Sequence, residues 1–116
     1  MSSYQAPQVP QIDVHEAARR TAAGEVLLLD VREADEWATG RAPGASHLAL
    51  TELRAGAVPT DRPVLALCRS GGRSSQAADL LAAAGINVSN VAGGMLAWQA
   101  AGLPVIGDGG SPGVVA

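Results

Sequence analysis

The run Val64-Leu65-Ala66-Leu67-Cys68-Arg69-Ser70-Gly71-Gly72-Arg73-Ser74-Ser75 decides how the rest of the chain is read. Its apolar opening predicts a short buried strand. Arg, Ser and Gly follow, and the composition from Gln76 to Ala84 is strongly helical. Strand, glycine-bearing loop and helix start together bind anions, because loop N–H groups can turn inward and the first helical N–H groups lack intrahelical partners. The helix dipole adds partial positive charge at the same place, and Arg69 and Arg73 add full charges. Cys68, the only cysteine, stands at the mouth of this loop, where a thiol is expected to be unusually acidic. Taken alone, a cysteine after a buried strand reads as a small core residue. The polar run behind it points instead to a nucleophile in an anion cradle.

Strands and helices alternate on either side of this run. Asp13 and Glu16 fit a capping box, and Val14, Ala17, Ala18 and Ala22 share a helical face ending near Gly24. Val26-Leu27-Leu28-Leu29 is continuously apolar, as in a strand covered on both faces of a parallel sheet. Asp30-Val31-Arg32-Glu33 follows at the end of that strand, where α/β folds place ligand loops; a structural ion pair between Asp30 and Arg32 is the simpler reading. Gly40 to Ala45 is turn-rich, Ser46 to Leu50 predicts a short strand, and His47 reads as a structural hydrogen-bonding residue. Beyond the Cys68 loop, Ala77, Leu80, Leu81 and Ala84 form an apolar stripe closed by Gly85. Ile86 to Val91 predicts a strand near a sheet edge, since Asn87 and Ser89 interrupt it, and Met95 to Ala101 predicts a last helix with Trp98 as a packing residue. The expected architecture is one α/β domain over 11–106, with helices flanking a mostly parallel sheet of about five strands. Residues 1–10 and 107–116 read as flexible tails. Gly109-Gly110-Ser111-Pro112-Gly113 matches a nucleophile-elbow pattern but has neither the strand nor the helix that pattern requires.

Bulk composition narrows the function classes. The chain has 116 residues, enough for one modest core, and 47% of them are hydrophobic. A net charge of −3, with eight cationic residues that are all arginine, argues against a nucleic-acid surface. A single cysteine excludes an internal disulfide and any zinc site built on paired cysteines, and suits a reducing compartment. With no signal segment and no run long enough to span a membrane, a cytoplasmic location and no membrane partner are expected.

Assembled, these residues resemble a single rhodanese (sulfurtransferase) domain, which implies that family's three-layer α/β fold. Leu28 to Glu33, with Glu36, Trp37 and Gly40 to Ala45, resembles the family's N-terminal signature; Arg41 stands where members often carry histidine. Cys68 to Arg73 resembles the six-residue active-site loop, and Gly93 to Trp98 with Gly102 to Val105 resembles the C-terminal signature. The resemblance implies transfer of a sulfane sulfur from a small anionic donor such as thiosulfate, through a persulfide on Cys68. The acceptor it implies is cyanide, a thiol or a sulfur-carrier protein, with no metal or organic cofactor. It makes Cys68 the nucleophile and Arg69, Ser70, Gly71, Gly72 and Arg73 the cradle. Ser74 adds a hydroxyl, and Asp30 and Arg32 brace the loop or line the pocket.

Two other classes compete. Cysteine-dependent phosphatases and arsenate reductases also surround an oxyanion with a thiolate loop and an arginine. Their loop is one residue longer, whereas position 74 here is Ser and the arginine comes earlier, at Arg73. A non-catalytic binding module of the same fold typically lacks the cysteine that this chain retains.

Overall fold

A computed structural model describes residues 9–116. The expectation for residues 1–8 lies outside the described residues. Five strands form one sheet, β1 (Gln11–Ile12), β2 (Leu27–Asp30), β3 (Ser46–His47), β4 (Val64–Leu67) and β5 (Val88–Val91), in the order β1-β5-β4-β2-β3. Every pairing is parallel, and the central register sets Leu27 to Asp30 of β2 beside Val64 to Leu67 of β4. The helices are α1 (Val14–Ala22), α2 (Ala34–Thr39), α3 (Gly72–Ala83) and α4 (Gly94–Ala100). Among the described residues no helix is long and apolar enough to cross a membrane.

The unbroken apolarity of β2 and β4 has the expected consequence: all four residues of each strand are buried. Successive side chains point to opposite faces. Leu27, Leu29, Val64 and Ala66 therefore pack with Ala77, Ala78 and Leu81 of α3. Leu28, Leu65 and Leu67 pack on the other side with Val14 and Ala17 of α1 and Met95 and Trp98 of α4. Fully buried alanines at 17, 66, 77 and 78 let helices approach the sheet closely. That close packing suits a chain with 3% aromatic residues. Trp98 packs as read and anchors its ring by donating Nε1–H to the Pro104 carbonyl at 2.8 Å.

The structure corrects several boundaries. α3 begins at Gly72, ahead of the expected Gln76, so Arg73, Ser74 and Ser75 belong to its first turn. The strand expected from Ile86 starts only at Val88 and lies one strand in from the edge, beside the two-residue β1; its Asn90 is buried, donating its amide to Gln11 Oε1 at 3.0 Å and Ser75 Oγ at 3.2 Å. The strand expected from Ser46 to Leu50 is only two residues long and gives way to a 3-10 turn at Leu50–Glu52.

Residues 107–116, expected from composition to be a tail, lie against the domain. This segment doubles back over the turn at Gly40. Val114 N–H donates to Thr39 O at 3.0 Å, Gly113 N–H to Val105 O at 3.0 Å, and Ile106 bridges both Arg41 and Pro112. The glycine at position 40 permits this route, because a Cβ there would stand 2.2 Å from Val114 O. Composition hid it, since the segment is held by backbone groups rather than by an apolar stripe.

Candidate active site

β4 delivers Cys68 to the carboxyl end of the sheet, where parallel α/β folds place their ligands. Gly71 then turns the chain with φ +110, a conformation that side-chain-bearing residues avoid. The turn aims two donors at the sulfur: Gly71 N–H reaches Cys68 Sγ at 3.0 Å and the buried Ser74 hydroxyl at 3.2 Å. Burial alone pushes the Cys68 thiol up. The Ser74 hydroxyl and the N–H groups of Ser74, Gly71 and Ser70 outweigh burial and bring the thiol below its ordinary value. The expected acidity thus arises mainly from loop dipoles and a hydroxyl. Cys68 is 1% exposed, so its sulfur lies on the floor of a cup and not on a surface.

A second helix closes the cup from behind. Met95 N–H donates to the Cys68 carbonyl at 2.8 Å and Leu96 N–H to the Arg69 carbonyl at 3.0 Å. These are N–H groups of the first turn of α4, which would otherwise lack partners. The approach requires glycine at position 94, where φ is +58 and a Cβ would stand 2.5 Å from the Cys68 carbonyl oxygen. Gly94→Ala is therefore expected to push the loop off α4. It should cost about 1–3 kcal/mol and move the thiol back toward ordinary acidity. A urea unfolding curve and a pH profile of alkylation, recorded on the same variant, check both effects.

The arginines are placed differently from the sequence expectation. Arg73 faces α2 and forms a two-pronged ion pair with Glu36, Nη1 to Oε1 at 2.5 Å and Nη2 to Oε2 at 2.9 Å. That pairing, with smaller contributions from the Glu33 N–H and Arg32, holds the Glu36 carboxyl down at about 2 against the upward push of burial. Arg73 is thus a strut between α2 and α3, not an open anion clasp. Arg69 is exposed and donates Nε–H to the Ala116 carbonyl at 2.8 Å. Ser70 and Gly72 are exposed at the rim.

Asp30 and Arg32 do not enter the cup. Both are wholly buried behind it, joined by Nη2 to Oδ2 at 2.8 Å and by Nε to both carboxylate oxygens at 3.0 Å. Arg32 also donates to the Gly40 carbonyl at 2.6 Å, and its own carbonyl meets His47 Nε2 at 2.6 Å. The pair locks the end of β2 to the Gly40 turn, the structural alternative weighed from sequence. Trp37 stacks on His47 with centroids 4.9 Å apart, and the Arg41 guanidinium lies 5.0 Å from the Trp37 ring. Arg41 also pairs with Asp108 at 2.9 Å, so it holds the returning C-terminal segment.

Sequence reasoning gave no site role to Glu36, Gly94 or Asn90. Glu36 had a local signal, since its carboxylate accepts the Glu33 N–H at 2.9 Å at the start of α2. Nothing in the spacing ties it to Arg73.

Comparison with known proteins places the chain in a family. A family profile described as the rhodanese-like domain matches residues 13–101. A sulfurtransferase of Allochromatium vinosum is 41% identical over 102 residues, covering 84% of this chain and 95% of the relative. An HTH-type transcriptional regulator of Mycobacterium tuberculosis is 40% identical over 101 residues, 84% of this chain but only 44% of that protein. The crystal structure of a rhodanese-related protein from Thermoplasma volcanium superposes with a TM-score of 0.77 at 26% identity, covering 84% of this chain and 97% of the other.

Proposed function

The chain belongs to the rhodanese-like sulfurtransferases, and from that membership we propose that it carries a sulfane sulfur from thiosulfate or a similar donor as a persulfide on Cys68. The observation that carries the proposal is the convergence of the Gly71 N–H and the Ser74 hydroxyl on Cys68 Sγ, at 3.0 and 3.2 Å. These donors favour the thiolate, the form that attacks. The thiolate forms a bond to the outer sulfur of thiosulfate, and the bond between the two donor sulfurs breaks. Sulfite leaves with the electron pair. The new terminal sulfur carries the negative charge, and the loop N–H groups stabilise it without reorganising. In the second half, an acceptor thiolate or cyanide attacks that terminal sulfur and Cys68 departs as thiolate.

The burial of Cys68 at the cup floor favours a donor that reaches in with one narrow atom. Thiosulfate does so with its sulfane sulfur while its oxygens stay at the rim, where Arg69 is exposed. Incubation with thiosulfate followed by intact-mass measurement tests the proposal. One added sulfur on the unmodified protein, and none on Cys68→Ser, is the expected result. Turnover of p-nitrophenyl phosphate by the same preparation, without any persulfide, would replace this reading with a phosphatase.

Acidity gives a second check. Alkylation by iodoacetamide should follow a midpoint below about 8.5, the value for a free thiol. The Ser74 hydroxyl is the strongest influence lowering the Cys68 pKa. Ser74→Ala should therefore move the midpoint upward, leaving less thiolate at neutral pH and slowing both alkylation and sulfur transfer there. A midpoint unchanged by the substitution would remove the hydroxyl from the explanation.

A further inference from the structure

We propose that Glu36 is a specificity-determining residue: by filling both terminal nitrogens of Arg73, it keeps that guanidinium from clasping an oxyanion at the mouth of the Cys68 cup. This deepens the sulfurtransferase reading by naming what the site turns away, and it rests on that reading for the identity of the preferred donor.

The geometry is that of a matched fork. Arg73 Nη1 meets Oε1 at 2.5 Å and Nη2 meets Oε2 at 2.9 Å, so the planar face that would grip phosphate grips a carboxylate. The carboxylate is itself fixed, because Oε1 also accepts the Glu33 N–H at 2.9 Å. The Arg73 and Glu36 side chains are 34% and 18% exposed, so the pair is only partly screened by water. Glu36, the Cys68 thiolate and Asp30 all act to keep Arg73 charged, which sets the guanidinium among anions of the chain itself. Little of its positive potential is left for a ligand.

The two arginines therefore divide. Arg73 is neutralised in place by a two-pronged partner, whereas Arg69 is exposed and, among the described residues, bonds only through Nε, to the Ala116 oxygen. A sulfane sulfur needs only the N–H and hydroxyl dipoles around Cys68. A tetrahedral oxyanion such as phosphate is held more tightly where a charged fork matches its oxygens. Glu36 removes one of the two forks, so the cup retains sulfur while oxyanions without a sulfane sulfur are held weakly.

Isothermal titration calorimetry with sodium phosphate tests this without relying on sulfur transfer. Three proteins are compared: unmodified, Glu36→Gln, and the double variant Glu36→Gln/Arg73→Gln. Gln offers Arg73 one acceptor and no charge. Phosphate should therefore bind Glu36→Gln roughly tenfold more tightly, about the weight of one charge-assisted hydrogen bond. The double variant should return to the affinity of the unmodified protein, since a neutralised pair and a neutral pair present the same net charge. Unchanged phosphate affinity in a folded Glu36→Gln would overturn the proposal. So would a double variant that binds phosphate much more weakly than the unmodified protein, because Arg73 would then already be clasping the anion. If the single variant does not fold, the double variant alone decides, since it leaves no unpaired charge behind. Persulfide formation from thiosulfate, followed by mass on the unmodified protein, reports separately on the sulfurtransferase reading.

Discussion

Cys68→Ser is expected to reduce thiosulfate:cyanide sulfur transfer by roughly a thousandfold or more, to the level of a protein with no nucleophile. Serine is nearly isosteric and would sit among the same donors, the Gly71 N–H at 3.0 Å and the Ser74 hydroxyl at 3.2 Å. The fold should therefore persist. The carbonyl of residue 68 keeps its bond from Met95 N–H, so the loop stays docked on α4. A hydroxyl remains protonated where the thiol ionises, and it cannot hold a sulfane sulfur in a stable, exchangeable bond. Thiocyanate formation measured with circular dichroism on the same sample gives the answer. A folded Ser variant with more than trace activity would show that Cys68 is not the nucleophile.

The part of this site readable from sequence is the part built from neighbours in the chain. The run from Val64 to Ser75 carries its own strand, turn and helix start, and the donors around Cys68 all come from within it. The unbroken apolarity of β2 and β4 likewise reported burial on both faces, and with it the parallel sheet. What stayed hidden depends on distant segments meeting. Arg69 and Arg73 look alike in the sequence, yet one is exposed and the other is locked by Glu36. No local pattern distinguishes them, because the discriminating partner lies across a helix boundary. The course of the C-terminal segment is hidden for the same reason: glycine and proline signal a tail, and nothing local shows that Gly40 gives that backbone a place to lie against Thr39. The sequence signature around Gly93 and Gly94 matched the family, and only the three-dimensional contact with the Cys68 and Arg69 carbonyls explains why it needs glycine.

Asp30→Ala is expected to be the most destabilising single change near the site, although Asp30 touches no part of the cup. Arg32 is wholly buried, and Asp30 accepts its Nε–H and Nη2–H at 2.8–3.0 Å as well as its backbone N–H at 3.0 Å. Arg32 Nη1 already has no partner among the described residues. With Asp30 removed, the Gly40 carbonyl would remain, among the described residues, the only acceptor for a buried cation, through Nη2. An uncompensated buried charge of this kind costs about 3–5 kcal/mol. For a domain of this size that is a large share of total stability, and it should lower the melting temperature by roughly 10 °C or more. The loss should appear as unfolding, not as a chemical defect. At low temperature the variant's surviving folded fraction should still form the Cys68 persulfide and keep an acidic thiol, because neither donor to Cys68 Sγ comes from Asp30. Thermal unfolding and cold persulfide formation on one preparation separate the two effects. A melting temperature within a few degrees of the unmodified protein would mean that Arg32 finds solvent when its partner is gone. Normal stability with a failed persulfide would place Asp30 in the chemistry and not behind it.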